Sequence, residues 1–246
     1  MTITEHAPNL DKHIQRNVAC IRAEIAAACA RRGRDSRDVT LIGVTKSVDR
    51  RAVNALINAG VHDLGENRVQ DALLKFGLRG TEPPLPSSTR LHMIGNLQTN
   101  KAREVARHFA VVHSLNRVAL GLALQEAAQA AGTSLSVLIE VNVSGEASKQ
   151  GVLMPDVHEL LSEVHERCPN LTVDGLMTIA PNADTADDTA VRGIFRALRA
   201  LRDELGHTFP ALALPVLSMG MSNDYPIAIE EGATHIRVGR ALFTGI

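Results

Sequence analysis

Apolar positions along this chain alternate between two patterns. The first is a stripe at helical spacing: Leu10, Ile14, Val18, Ile21, Ile25 and Cys29 recur every three or four residues. Gly33 is placed to stop that helix. The second is a short apolar run, Leu41, Ile42, Gly43 and Val44, which reads as a strand buried on both faces. It ends at Thr45 and Lys46, and Ser47 and Asp49 stand ready to start the next helix. That helix turns Val53, Leu56 and Ile57 inward and is capped by Gly60.

The alternation then persists to the end of the chain. Further strands are expected at 61–67, 91–95, 110–114, 134–144, 171–180, 214–220 and 234–239. A helix follows each of the first six of these. Val69, Leu73, Leu74 and Phe76 mark one, ahead of Gly77. Thr99 is the expected cap of the next, Asn116 caps a helix ending at Gly132, and Pro155 starts the one carrying Val157, Leu160, Leu161 and Val164. A loop with Asp184, Asp187 and Asp188 leads into a helix with Val191, Ile194, Phe195, Leu198 and Leu201, which Gly206 should close. Ser222 or Asn223 caps a last short helix ending at Gly232. The proline-rich segment 81–88 reads as a loop.

Eight strands with seven helices between them and one helix in front imply parallel pairing and right-handed crossovers. The expected fold is α/β: a single (β/α)8 barrel over residues 1–246, with the N-terminal helix closing the helical ring. An open doubly wound sheet is the alternative, but no G-x-G-x-x-G follows a strand.

Composition narrows the function. Of 246 residues, 45% are hydrophobic and 2% aromatic, and net charge is −1. No strong field draws nucleic acid or an anionic membrane, and base-stacking platforms lack their aromatics. The three cysteines, Cys20, Cys29 and Cys168, suit a reducing cytosol better than a disulfide framework. No signal peptide or membrane span is read in the sequence, so the expected location is cytoplasmic, and a monomer is expected. The basic run at 31–37 reads as a solvated helix end and loop. The ten histidines include no H-E-x-x-H, and His158 with His165 reads as a surface pair, so no metal site is expected. Lys149 reads as a solvated surface lysine.

Chemistry in such barrels sits at the carboxyl ends of strands. Lys46 emerges there with an apolar floor beneath it. Desolvation there disfavours the ammonium and brings a nucleophilic neutral amine within reach; the alternative is a lysine that lifts its head into solvent. The last two strand ends, SMGMSND at 218–224 and RVGRA at 237–241, combine glycines, hydroxyls and helix starts. Glycine lets backbone N–H groups approach an anion, and phosphate in barrels commonly binds after the seventh and eighth strands. A lysine nucleophile and a phosphate cup at one mouth describe pyridoxal 5′-phosphate (PLP), with Arg237 between them near the pyridine nitrogen.

VTKS around Lys46, GENRVQD at 65–71, HMIGNLQTNK at 92–101, SKQG at 148–151, GLMTIAP at 175–181, LSMGMSND at 217–224 and HIRVG at 235–239 together resemble the pyridoxal phosphate homeostasis proteins, stand-alone relatives of the alanine racemase barrel domain. The resemblance runs from about Ile14 onward. It implies a fold-type III barrel that holds PLP as an imine on Lys46. It also implies phosphate contacts from Ser218, Met219, Ser222 and Gly239, a ring-nitrogen contact from Arg237, and pocket positions for Asn67 and Met177. Many relatives carry Thr or Ser where this chain has Arg240, so phosphate there would meet a backbone N–H or a guanidinium instead of a hydroxyl.

The implied function is a PLP carrier that keeps the aldehyde masked and hands it on, with PLP and apo PLP-dependent enzymes as partners and little or no catalysis. The alternatives are an amino-acid racemase and a Lys46-dependent aldolase. Racemisation needs a second acid/base across the cofactor, and Tyr225, the one tyrosine, is poorly placed for it.

Overall fold

The computed structural model describes residues 7–78, 80, 83–181 and 187–246. Its strands are β1 (Thr40–Val44), β2 (Asp63–Glu66), β3 (Arg90–Met93), β4 (Val111–Leu115), β5 (Leu135–Asn142), β6 (Val152–Leu153), β7 (Leu171–Met177), β8 (Val216–Ser218) and β9 (His235–Val238). Leaving aside the two-residue β6, which pairs only with β5, the others form one ring. β1 pairs with β2 and β9, β4 with β5, β5 with β7, and every pairing is parallel. The sheet is a closed eight-stranded barrel, which rules out the open doubly wound alternative.

The helices are α1 (Ala7–Ala30), α2 (Arg50–Asn58), α3 (Val69–Lys75), α4 (Ala102–His108), α5 (Val118–Ala131), α6 (Val157–Arg167), α7 (Asp188–Thr208) and α8 (Tyr225–Glu230). α1 packs against α2, α8 and the short 3-10 turn Arg240–Phe243, and so fills the helical ring where the chain begins and ends. Its stripe Ile14, Val18, Ile21, Ile25 and Cys29 is 0–4% exposed. Each such buried aliphatic contributes about 1.5–3 kcal/mol gross. Asn17 Nδ2 donates to Leu242 O and Thr244 O, tying α1 to the last turn. The basic run at 31–37 is an exposed helix end and loop, as expected, with Arg34 alone half-buried. It is tied down where Arg31 pairs with Glu230 and Arg34 donates to the carbonyls of Ile229 and Ala233.

Period-two alternation fixes which residues look inward. A Cβ on Gly43 would lie 2.5 Å from Leu56 on α2, so Gly43 faces the helices. Val44 therefore faces the barrel axis, and Lys46 follows it there.

Some caps form as expected and others do not. Asp49 does cap α2, accepting from Ala52 N, and Asp187 caps α7 through Ala190 N. Gly132 ends α5 with φ +63°. Thr99 makes no capping bond; it opens a 3-10 turn ahead of α4. Asn116 is not the α5 cap, because its amide donates to Glu140 on β5. Gly206 does not close α7, which runs on to Thr208. Asp224, and neither Ser222 nor Asn223, occupies the cap position of α8. Asp184 and the first residues of the 81–88 loop lie outside the described residues.

Candidate functional site

A cavity of about 850 Å³ opens at the carboxyl ends of the strands. Of the nine residues singled out in the sequence, Lys46, Asn67, Ser222, Arg237, Gly239 and Arg240 line it. Met177, Ser218 and Met219 do not; all three are fully buried beneath it.

β1 delivers Lys46. Thr45 just before it is buried, its hydroxyl donating to Glu66 Oε1 at 2.7 Å. Lys75 of α3 reaches across and donates to Thr45 O at 2.6 Å and to Glu66 Oε1 at 2.8 Å. Lys46 itself is exposed on the cavity wall, so the desolvation expected from its strand-end position is not what distinguishes it. Asn67 follows β2, and Gly95 lets it sit there: a Cβ on Gly95 would lie 2.3 Å from Asn67 O.

The opposite wall is built by the segment after β8 and the turn after β9. Gly220 has φ +93°, and a Cβ there would lie 2.6 Å from Ala228 Cβ, so only glycine folds this corner. The corner is held by Asp224, whose carboxylate accepts from Met221 N. Burial raises the Asp224 pKa, and the Met221 N–H and nearby Arg237 only partly offset it. Beyond the corner, Ser222 Oγ accepts from Gly239 N and from Ala241 N, each at 3.4 Å. Two backbone donors thus converge on one point, at distances long for hydrogen bonds. Gly239 brings that backbone close to β1, since a Cβ would lie 3.3 Å from Val44 Cβ. Arg240 is exposed and donates to Asn223 Oδ1 at 2.6 Å.

Arg237 stands between the two walls. Its side chain is 4% exposed, and its guanidinium donates to Ser218 Oγ at 2.7 Å and to Thr178 O at 2.9 Å. Burial draws its pKa down to about 10, with Asp224 and Glu140 opposing, so it remains a cation at neutral pH. The Ser218 hydroxyl, expected at the phosphate, is instead committed beneath the cavity to Arg237 and to His113 Nδ1 at 2.9 Å. Met219 offers no backbone donor upward either, because its N–H bonds His235 O. Met177 packs with Val111 and Leu138 inside the barrel.

Lys149 is not solvated as expected: its Nζ is buried, 3.5 Å from Glu146 Oε1, and it does not line the cavity. His158 pairs with Glu204 and not with His165, and no cluster suited to a metal ion occurs among the described residues. No helix among them is long and apolar enough to cross a membrane. Sequence reasoning missed Asp224, and it missed the apolar rim of Ile179, Met221 and Ile246, which are exposed around the mouth. The rim had no readable signal, because its residues come from three separate segments.

The family described as alanine racemase, N-terminal domain, matches residues 12–245 of this chain. The pyridoxal phosphate homeostasis protein of Aquifex aeolicus is 42% identical over 219 residues, covering 89% of this chain and 92% of that protein. The protein of the same name from Pseudomonas aeruginosa is 41% identical over 230 residues, covering 94% of each. The structure of PipY of Synechococcus elongatus with PLP bound is similar with a TM-score of 0.79 at 32% identity, covering 94% of this chain and 99% of that one. This chain therefore belongs to the alanine racemase N-terminal domain family and, within it, to the pyridoxal phosphate homeostasis proteins.

Proposed function

We propose that the protein binds PLP in the mouth cavity, linked covalently to Lys46, and serves the intracellular handling of that cofactor. The observation that carries this reading is the convergence of three unlike groups on one cavity. They are an exposed primary amine at Lys46, a buried cation at Arg237, and the backbone donors of Gly239 and Ala241 that meet at Ser222 on the cavity wall. PLP carries an aldehyde, a ring nitrogen and a phosphate, one for each. PLP itself supplies a carbonyl that an amine can attack and a ring that can draw electrons.

Lys46 provides the amine, and its exposure suits exchange with incoming amines as well as attachment. Gly239, Ala241 and Ser222 would hold the phosphate, through the two backbone N–H groups that converge on the Ser222 hydroxyl and through that hydroxyl as a donor. Arg237 faces the ring nitrogen as a donor, and Asn67 bounds the ring on the β2 side. The buried Met177, Ser218 and Met219 support the site from below. A cavity of about 850 Å³ exceeds the needs of one small cofactor, which leaves room for the amine of an incoming ligand.

The test is borohydride reduction of the PLP-loaded protein followed by peptide mass analysis. The mass of the reduced cofactor should sit on Lys46. Lys46→Ala should lose it while keeping its urea midpoint, because substitution of an exposed side chain shifts stability by about 0.5 kcal/mol or less. Retention of a full-occupancy adduct in Lys46→Ala would place the link elsewhere. A protein that binds no PLP but is fixed to a small aldehyde or ketone by borohydride would be an aldolase.

A further inference from the structure

The barrel interior holds a line of polar side chains that binding alone does not require. Arg237 bonds Ser218 Oγ at 2.7 Å, Ser218 Oγ meets His113 Nδ1 at 2.9 Å, His113 Nε2 meets His92 Nδ1 at 2.9 Å, and His92 Nε2 meets Asp63 Oδ1 at 2.9 Å. Ser218, His113 and His92 are fully buried. Asp63 is 22% exposed and lines a separate cavity of about 340 Å³ at the amino ends of the strands. The line therefore runs from the mouth to the opposite face of the barrel.

Its direction is fixed by the chemistry of its ends. A guanidinium only donates, so Ser218 Oγ accepts from Arg237 and its own proton goes to His113 Nδ1. His113 then carries its proton on Nε2 and gives it to His92 Nδ1. His92 carries its proton on Nε2 and gives it to Asp63. Every donor points away from the cation and toward the carboxylate, with both imidazoles neutral.

The arrangement has a consequence for Arg237. A carboxylate beside a buried arginine would take its donors in a bidentate pair and neutralise it on the spot. Here the side chain's direct acceptors, Ser218 Oγ and Thr178 O, are both neutral, and the carboxylate at the end of the line is four hydrogen bonds away. We propose that Ser218 and His113, backed by His92 and Asp63, are positioning residues that lock the Arg237 guanidinium in place while leaving its charge for a ligand in the cavity. The proposal rests on the reading above that this ligand is PLP with its ring nitrogen at Arg237.

The test compares PLP with its 1-deaza analogue, in which a ring C–H replaces the ring nitrogen. Wild type should bind PLP more tightly, and Arg237→Gln should abolish that preference. His113→Phe removes the acceptor for Ser218. It should weaken PLP about tenfold, the scale seen for outer partners of binding groups, and change the analogue less than twofold. His113→Asn, whose Oδ1 can accept from Ser218 in place of Nδ1, should restore most of the preference. Ser218→Ala, a smaller change, should behave as His113→Phe and serves if the phenylalanine variant does not fold. Equal weakening of both ligands by His113→Phe or Ser218→Ala would make the line merely structural and overturn the proposal. Loss of the preference in Arg237→Gln with retention in His113→Phe and Ser218→Ala would also overturn it, leaving the ring-nitrogen reading intact. No preference in wild type would overturn the ring-nitrogen reading itself, and the proposal with it.

Discussion

Two lysines meet the carboxyl end of β1, and they are held in opposite ways. Lys75 is 13% exposed, donates to Thr45 O at 2.6 Å and pairs with the fully buried Glu66 at 2.8 Å. Lys46, one residue past Thr45, is exposed on the wall of the cavity. The first is fixed by a carboxylate, a carbonyl and the surrounding core. The second makes no side-chain hydrogen bond among the described residues and is held through its backbone, next to the Thr45 carbonyl that the first one clamps. Burial and partners, not residue type, separate a lysine that holds the fold from one available for chemistry. The pair combines an exposed amine with a strand end held from behind.

The largest effect should come from breaking the buried member. Lys75→Met leaves Glu66 uncompensated, with Oε1 keeping only Thr45 and Oε2 already without a hydrogen-bond partner among the described residues. Removing one partner of a buried pair costs about 3–5 kcal/mol. Urea unfolding should show that loss for Lys75→Met, against no resolvable change for Lys46→Ala. Similar midpoints for the two variants would erase the distinction.

Acid should separate the interior from the mouth in the same way. Burial lowers the pKa of His92 against the opposing pull of Asp63, and lowers His113 well below the usual histidine range. Burial also takes His235 down to about 4. Unfolded, each titrates near 6.5. Below that pH the unfolded chain binds protons that the folded chain refuses, so stability falls as pH falls. The loss is about 1.4 kcal/mol per pH unit for each such histidine. For His235 the window runs from about 6.5 down to about 4. Asp63 extends the same trend further: burial raises its pKa, but the His92 hydrogen bond together with the nearby His92, Arg90 and His235 outweighs that and leaves it lowered. Urea midpoints at pH 7 and pH 5 should differ in this direction. A flat profile would mean that the interior histidines take up protons as readily in the folded chain as in the unfolded one.

These interior groups mark the limit of what the sequence displays. The apolar runs around Ile42, Val112 and Leu138 announce strands without help from tertiary structure, and eight of them announce a closed ring. His92 and His113 sit inside such runs and look like isolated polar interruptions. Only the register, which sets His92 beside Val111 and Ser218 beside His235, shows that the inward positions meet one another. Lys46 was legible because a strand end is a place defined by the chain itself. Ser218 was not, because its hydroxyl is claimed by Arg237 and His113 from two other strands. The failed cap at Asn116 has the same origin: a cap is a local offer, and Asn116 took a better one from Glu140.

The smallest expected effect is on turnover, and it sharpens what an available lysine is for. Arg237 keeps its proton at neutral pH, its pKa being about 10, and so would meet a ring nitrogen only as a donor. A ring nitrogen so held stays unprotonated and stabilises negative charge at a neighbouring carbon poorly. Inversion at an amino-acid Cα also needs an acid/base group besides Lys46, and exchange there needs at least one base set against the Cα–H bond. Tyr225 cannot supply it from where it stands: it is 3% exposed, its hydroxyl donates to Glu24 on α1, and burial raises its pKa. Among the described residues lining the cavity the one carboxylate is Asp224, 2% exposed and held by Met221 N. A missing acid/base group costs on the order of a hundredfold or more in rate. The PLP-loaded protein incubated with L-alanine in heavy water should therefore exchange its Cα hydrogen no faster than free PLP does, while still releasing PLP to an apo-enzyme in the same tube. Rapid exchange, lost in Asp224→Asn, would make Asp224 the base and the protein a racemase. Rapid exchange that survives Asp224→Asn would make Lys46 both the attachment point and the base, so that a lysine left free to exchange its cofactor would also be free to move a proton.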